Sequence, residues 1–392
     1  MSISRRASAL SPSETLKITA MAKEMQRAGK SVISLSAGEP DFKTPAHICD
    51  AAVQAIRDGQ HGYTVNAGTV ELRKAIVDKF KRDNALDYTI EQIIVSNGAK
   101  QSVGFAILAT VDPGDEVIIP APYWVSYPEM VKLAEGVSVR IRTRLEDEYK
   151  LTPAQLEAAI TPKTKMLILC SPSNPTGSCY TEAELKALAA VLLKHPQILV
   201  LSDEIYEYIV FDGPHVGIAT AEPRLKDRTI VVNGFSKGFA MTGWRLGYLA
   251  ATTEIVGAVG KIQSQETSAP STISQIAGTV ALNSPLDSVF TMRDAFQARR
   301  DYMVDALNAI PGVRCPKPGG AFYVFPDISA HLGGRVASSS ELSLFLMEQV
   351  GIATVPGDAF GEPDGIRLSY ACSMADLQEA VSRLKTGLAM LG

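Results

Sequence analysis

Thr229-Ile230-Val231-Val232-Asn233-Gly234-Phe235-Ser236-Lys237 is an apolar, β-branched run that stops at a small-residue turn carrying a hydroxyl and an amine. A run of this kind, bounded by Asn and Gly, reads as a buried strand. The pattern repeats along the chain. Ile198–Ser202 leads into Asp203-Glu204-Ile205-Tyr206, Met166–Cys170 into Ser171-Pro172-Ser173-Asn174-Pro175-Thr176-Gly177, and Ile93–Ser96 into Asn97-Gly98-Ala99-Lys100. Val32–Leu35, Glu116–Ile119 and Leu246–Ala250 read as further strands. Helical periodicity lies between them at Ala46–Asp58, Thr69–Asp83, Pro153–Ile160 and Thr181–Lys194, the last opened by a Thr181/Glu184 capping box. Such alternation predicts an α/β fold with a mostly parallel sheet covered on both faces.

After about Asn283 the pattern changes. A long helix is expected over Leu286–Ala309, ending at Pro311-Gly312. It is followed by Ala321–Phe325, a helix at Glu341–Val350, short strands at Ile352–Val355 and Ile366–Tyr370, and a terminal helix from Met374. This reads as a second, smaller α+β domain, with a cleft between the two as a natural place for a ligand.

Composition narrows the function. The 392 residues are 46% hydrophobic and 20% charged, enough apolar content to exclude a disordered chain. Lys plus Arg is 38 and Asp plus Glu 42, a net charge of −4 with no basic run, which argues against nucleic acid. The five cysteines (Cys49, Cys170, Cys179, Cys315, Cys372) form no C-x-x-C pair, and histidine is sparse, so neither a disulfide framework nor a metal site is expected. No apolar run approaches the roughly 20 residues that span a bilayer. A soluble cytoplasmic protein with no membrane partner is the expectation.

In open α/β sheets ligands sit beyond the carboxyl ends of the strands, where the small and polar residues gather here. Gly98-Ala99 at a helix start offers backbone N–H groups suited to a phosphate, and Ser236 and Arg245 can join them. Asp203 can keep an aromatic nitrogen protonated, while Asn174 and Tyr206 can hydrogen-bond a phenolate oxygen. Lys237, crowded by cations and desolvated, can carry an amine of lowered pKa that forms an imine. Trp124 can stack on a planar ring. Phosphate, ring nitrogen, ring oxygen and aldehyde together describe pyridoxal 5′-phosphate.

At this point a family resemblance appears. Ser171–Gly177, Asp203-Glu204-Ile205-Tyr206 and Ser236-Lys237-Gly238-Phe239-Ala240-Met241-Thr242-Gly243-Trp244-Arg245-Leu246-Gly247 resemble class I pyridoxal phosphate-dependent aminotransferases of fold type I. The likeness runs from Ala37-Gly38-Glu39-Pro40-Asp41-Phe42 to Ile366-Arg367-Leu368-Ser369-Tyr370. Ala121–Pro128 and Gly98-Ala99-Lys100-Gln101 are similar to the bacterial and plastid-type aspartate aminotransferase subgroup, some members of which transaminate prephenate.

The resemblance implies a large domain over 46–285 with a seven-stranded sheet, a small domain over 286–392, and an N-terminal arm over 1–45 that joins the small domain. It implies Lys237 as the cofactor-bonded lysine and proton shuttle, Asp203 at the ring nitrogen, and Asn174 and Tyr206 at the ring oxygen. Trp124 would lie on the ring. Gly98, Ala99, Lys100, Ser236 and Arg245 would lie around the phosphate, with Tyr63 reaching it from the second subunit of a homodimer. Arg367 would clamp the substrate α-carboxylate with Asn174 and the Gly38 backbone. Lys100 would meet a distal carboxylate, and Thr15 stands at a position linked to prephenate, although Glu14 departs from the plant-type pattern.

The expected partners are therefore amino acid and keto acid substrates, aspartate with 2-oxoglutarate first and prephenate second. The alternatives are an aminotransferase of other amino acids, a β-lyase or a decarboxylase on the same cofactor. A more remote one is a serine hydrolase, because Gly234-Phe235-Ser236-Lys237-Gly238 matches G-x-S-x-G. That motif needs a helix after the serine and a late histidine, for which only His331 is available.

Overall fold

The computed structural model describes residues 3–391. Its centre is a seven-stranded sheet in the order Ile93–Ser96, Gly247–Ala250, Thr229–Gly234, Leu199–Asp203, Thr164–Cys170, Glu116–Ala121 and Val137–Arg142. Gly247–Ala250 is antiparallel to both neighbours, and the remaining pairs are parallel. The strands from Ile93–Ser96 through Thr164–Cys170 are almost wholly buried, as expected of a sheet covered on both faces.

Two sequence expectations change. Val32–Leu35 does not enter this sheet; Ile33–Ser34 pairs in parallel with Ile352–Ala353, more than three hundred residues away. The seventh place is taken by Val137–Arg142, which was not expected. It is an edge strand with only exposed and half-buried residues, including Arg140 and Arg142, so its sequence lacks the apolar block that marks its neighbours. In addition, Ile352–Val355 divides into Ile352–Ala353 and Val355–Pro356, each joined to a different sheet.

The helices follow their signals. Glu182–Leu192 starts at the Thr181 capping box, Val70–Asn84 is capped by the Thr69 hydroxyl, and Asp287–Asn308 is the long helix. The helices Glu14–Arg27, Ser126–Leu133, Thr253–Glu266 and Thr272–Asn283 add to the pattern read from sequence. A second buried cluster joins Leu35 and Tyr206 to Phe296, Met303, Phe322, Tyr323, Leu346, Ile366, Leu368 and Leu384. The N-terminal strand and the C-terminal elements thus share one core, which presses against the carboxyl edge of the large sheet.

Candidate active site

Ser96, Ala121, Cys170, Asp203 and Gly234 end their strands on one edge of the sheet, and the antiparallel Gly247 begins there, opposite both Ser96 and Gly234. The turns that follow bring most of the candidate residues together. Lys237 lies three residues past Gly234, in turns rather than a helix. Its Nζ makes a short hydrogen bond to the Gly38 carbonyl, about 6 Å from the rings of Tyr206 and Phe322. Burial, the nearby Arg367 and, more weakly, Arg245 pull its amine down to about 8, against the opposing pull of Glu39 and Asp203. An amine titrating this close to physiological pH keeps an appreciable neutral fraction, which is a nucleophile and a base.

Arg367 is the strongest electrostatic signal. It sits on Ile366–Ser369, 2% exposed, with one guanidinium nitrogen donating to Asn174 Oδ1 at 2.9 Å and another to the Ser36 carbonyl at 2.8 Å. Its Nε has no partner, and Tyr323 and Phe360 lie against its plane at 4.5 and 5.2 Å. Among the described residues no carboxylate pairs with it. A buried cation with only neutral acceptors is a site for a ligand anion.

Asp203 is 4% exposed, and burial raises its carboxyl to about 6 despite the Tyr127 hydroxyl, which donates to Oδ2 at 2.6 Å. Its Oδ1 takes only a long 3.4 Å contact from the Ile205 N–H. The Tyr206 and Tyr323 hydroxyls lie 3.0 Å apart near Arg367, both phenols pushed up by burial.

On the flank of the sheet, Gly98 at φ +87 precedes the helix Ala99–Thr110, and no side chain caps that end. A side chain on Gly98 would collide with the Arg245 guanidinium, and one on Gly247 with the Ala99 backbone. Glycine at both places lets backbone N–H groups and a cation approach one point. Among the described residues Arg245 donates only to the Thr242 and Asn97 carbonyls, and the Ser236 hydroxyl, on a residue 8% exposed, meets no partner. Trp124 is half-buried, edge-on to Tyr127 at 5.2 Å. Lys100 Nζ stands 5.1 Å from the Trp124 ring, its amine lowered by burial and by Arg245, with no carboxylate partner among the described residues.

Two candidates lie apart. Tyr63 is fully exposed and makes no side-chain hydrogen bond among the described residues, so a single chain does not bring it into the cluster. Thr15 is linked indirectly: its carbonyl accepts from Thr19, whose hydroxyl meets Ser36, whose carbonyl holds Arg367. Tyr127, Tyr323 and Ser36 were missed from sequence; Tyr127 lies in the Ala121–Pro128 run, but nothing local tied it to Asp203. Glu204, Glu207 and His215 bring ligand atoms within 4.8 Å of one another, but Lys79, Asn84 and Ser202 already engage the carboxylates. The hydrolase alternative finds no support: Ser236 is followed by turns, and the ring of His331 meets the Pro311 carbonyl.

These residues fit pyridoxal phosphate. The uncapped helix start with Arg245 and the free Ser236 hydroxyl suits a phosphate, Asp203 Oδ1 a ring nitrogen, and Lys237 an aldehyde. A mostly parallel sheet carrying this set at its carboxyl edge marks a pyridoxal phosphate-dependent enzyme of fold type I. The chain belongs to the aminotransferase class I and II family, matched over residues 30–384, which uses pyridoxal phosphate.

Within that family it is 49% identical to a Petunia hybrida bifunctional aspartate aminotransferase and glutamate/aspartate-prephenate aminotransferase, over 99% of this chain and 83% of that protein. It is 50% identical to the Cereibacter sphaeroides aspartate/prephenate aminotransferase, over 95% of each. The crystal structure of the Rhizobium meliloti aspartate aminotransferase superposes with a TM-score of 0.96 at 47% identity, covering 99% of both chains.

Proposed function

We propose that this enzyme transfers the amino group of L-aspartate to 2-oxoglutarate in two half-reactions, and that it also aminates prephenate to arogenate. The carrying observation is Arg367, a buried guanidinium with neutral partners only, set beside a lysine of lowered pKa. A substrate α-carboxylate supplies the missing counter-charge, with Asn174 and the Gly38 backbone alongside. The petunia and Cereibacter relatives, named for aspartate and prephenate transamination, support aspartate as donor and prephenate as acceptor.

The bound cofactor supplies an electron sink for negative charge at the substrate Cα. Lys237 Nζ takes and returns the Cα proton, which requires the amine to be neutral once free. Asp203 Oδ1 holds a proton on the ring nitrogen, and Asn174 and Tyr206 hold the ring oxygen. Trp124 covers one face of the ring and excludes water. Gly98, Ala99, Ser236 and Arg245 hold the phosphate, joined by the partner subunit's Tyr63. Lys100 receives the distal carboxylate shared by aspartate, 2-oxoglutarate and prephenate, and Thr15 acts on the pocket through Thr19 and Ser36, whose carbonyl holds Arg367.

The working unit in this reading is a homodimer in the cytoplasm. The exposed apolar side chains of Val53, Ile56, Tyr63, Val65 and Val70 crowd one stretch of chain, as a buried interface requires. Among the described residues no helix is long and apolar enough to cross a membrane, and all five cysteines are free.

The test follows the cofactor absorbance. The protein is converted with L-aspartate, freed of excess, then given 2-oxoglutarate, oxaloacetate or prephenate separately. Recovery with prephenate as fast as with 2-oxoglutarate establishes both acceptors. Recovery with the dicarboxylic keto acids alone reduces the activity to aspartate transamination. No cofactor absorbance after pyridoxal phosphate is added overturns the reading.

A further inference from the structure

We infer that Tyr127 is a positioning residue that keeps the Asp203 carboxylate ionised and turned toward the cofactor ring nitrogen. The inference rests on the cofactor reading above and goes one contact further. Tyr127 lies in the first turn of Ser126–Leu133, 2% exposed, and spends its only O–H on Asp203 Oδ2 at 2.6 Å. That contact joins residues 76 apart in the chain, one at a helix start and the other at a strand end. With Oδ2 committed, Oδ1 is the oxygen left for a ligand, since the Ile205 N–H stands 3.4 Å away.

The surroundings make this one donor matter. The groups facing Asp203 are the Tyr127 hydroxyl, the Ile205 N–H, Cys170, Glu204 and Lys237. Cys170 is a neutral thiol at this depth, its Sγ directed to the Pro172 carbonyl, so it gives the carboxylate nothing. Glu204 repels a second negative charge, and Lys237 is the only cation among them. Burial favours the neutral acid, and the phenol is the nearest group opposing it. Burial also pushes the Tyr127 phenol well above its usual range, so it remains a donor at every working pH. Its ring meets Trp124 edge-on at 5.2 Å with an interplanar angle of 87°, so the same residue braces the side chain proposed to cover the cofactor.

Without this hydroxyl Asp203 protonates more readily, and a neutral carboxyl holds the ring nitrogen's proton less well. Cofactor-free protein and its Tyr127→Phe variant are titrated with pyridoxal phosphate between pH 5.5 and 9 by tryptophan fluorescence. The protonation of 15N-labelled cofactor is read by NMR in the same samples. A lost hydrogen bond to a charged group predicts binding about 10- to 100-fold weaker at pH 7. The gap narrows as pH rises and Asp203 ionises in both proteins, and the variant's ring nitrogen is less protonated at pH 7. Lysine, phosphate and ring contributions are common to both proteins and cancel in the difference.

An affinity–pH profile and nitrogen shift equal to those of the wild type would overturn the inference. So would the same displacement in Cys170→Ala, since packing around the carboxylate would then be the cause. Should Tyr127→Phe fail to fold, 3-fluorotyrosine placed at position 127 alone makes the phenol a stronger donor. The profile must then move to lower pH, and an unmoved one defeats the inference. A wild-type protein whose bound cofactor carries no ring-nitrogen proton defeats the Asp203 assignment as well.

Discussion

Asp203-Glu204-Ile205-Tyr206-Glu207 feeds two buried polar clusters of opposite character. Glu204 and Glu207 face a closed set. Lys79, fully buried, forms a short ion pair with Glu207 and donates to Asn84 at 2.7 Å, while Glu204 meets His215 at 3.0 Å and Ser202 at 2.7 Å. Burial pushes Glu204 up, but His215, Ser202 and Lys79 outweigh it and hold its carboxyl below the usual range. Asp203 and Tyr206 face an open set, in which Arg367 and Lys237 meet only carbonyl and amide oxygens and Asp203 stays raised to about 6. One cluster is complete without a ligand and the other is not. Burial of charge alone therefore marks nothing; the missing counter-charge marks the site.

The sharpest way to break this contrast is to remove one lysine from each side. Lys237→Ala should lower amino transfer by about a thousandfold or more while the cofactor-free protein melts no lower at pH 7. Lys79→Met should cost about 3–5 kcal/mol by leaving Glu207 buried and unpaired, measured by urea unfolding. Equal losses of stability in the two variants would erase the distinction.

Next in size is Arg367→Lys, which keeps the charge and loses the fork. The kcat/KM for aspartate should fall about a hundredfold, with thermal stability unchanged. Lys100→Ala sharpens the picture on the distal side. Its expected effect is about tenfold on kcat/KM for dicarboxylic substrates and little on an amino acid with an apolar side chain, measured as a ratio.

The smallest effect is on stability against pH. The Asp203 carboxyl is raised from 3.8 to about 6, so the folded cofactor-free protein holds that proton more tightly than the unfolded chain. Stability from this group then falls as pH rises from about 4 to about 6 and stays lower above. Asp203→Asn should raise the Tm of the cofactor-free protein by a few degrees at pH 8 and leave it unchanged at pH 3.5. Glu204 has the reverse sign: its stabilisation is present above its unfolded pKa near 4.5 and is lost as pH falls through its lower folded value.

Much of this was legible in advance because it is local. Six of the seven large-sheet strands, the Thr181 cap and the polar turns after Ser96, Cys170, Asp203 and Gly234 each follow from a few adjacent residues. The exposed strand Val137–Arg142 was not, because an edge needs no continuous apolar run. The chemistry of its turn nominated Lys237 and the family resemblance nominated Arg367, but no spacing could say that Arg367 would lack a carboxylate or that a carbonyl would meet Lys237.

By itself the sequence determined the strand–helix alternation, the glycine-bearing turns and the chemical types available at one sheet edge, since propensity and capping act within a few residues. Tertiary structure alone decided that Ile33–Ser34 joins Ile352–Ala353, that Tyr127 reaches Asp203, and that Arg367 spans 193 and 331 residues to Asn174 and Ser36. Those contacts depend on how two cores close on one another. The charge balance of a buried group is a property of everything that surrounds it, not of its neighbours in the chain.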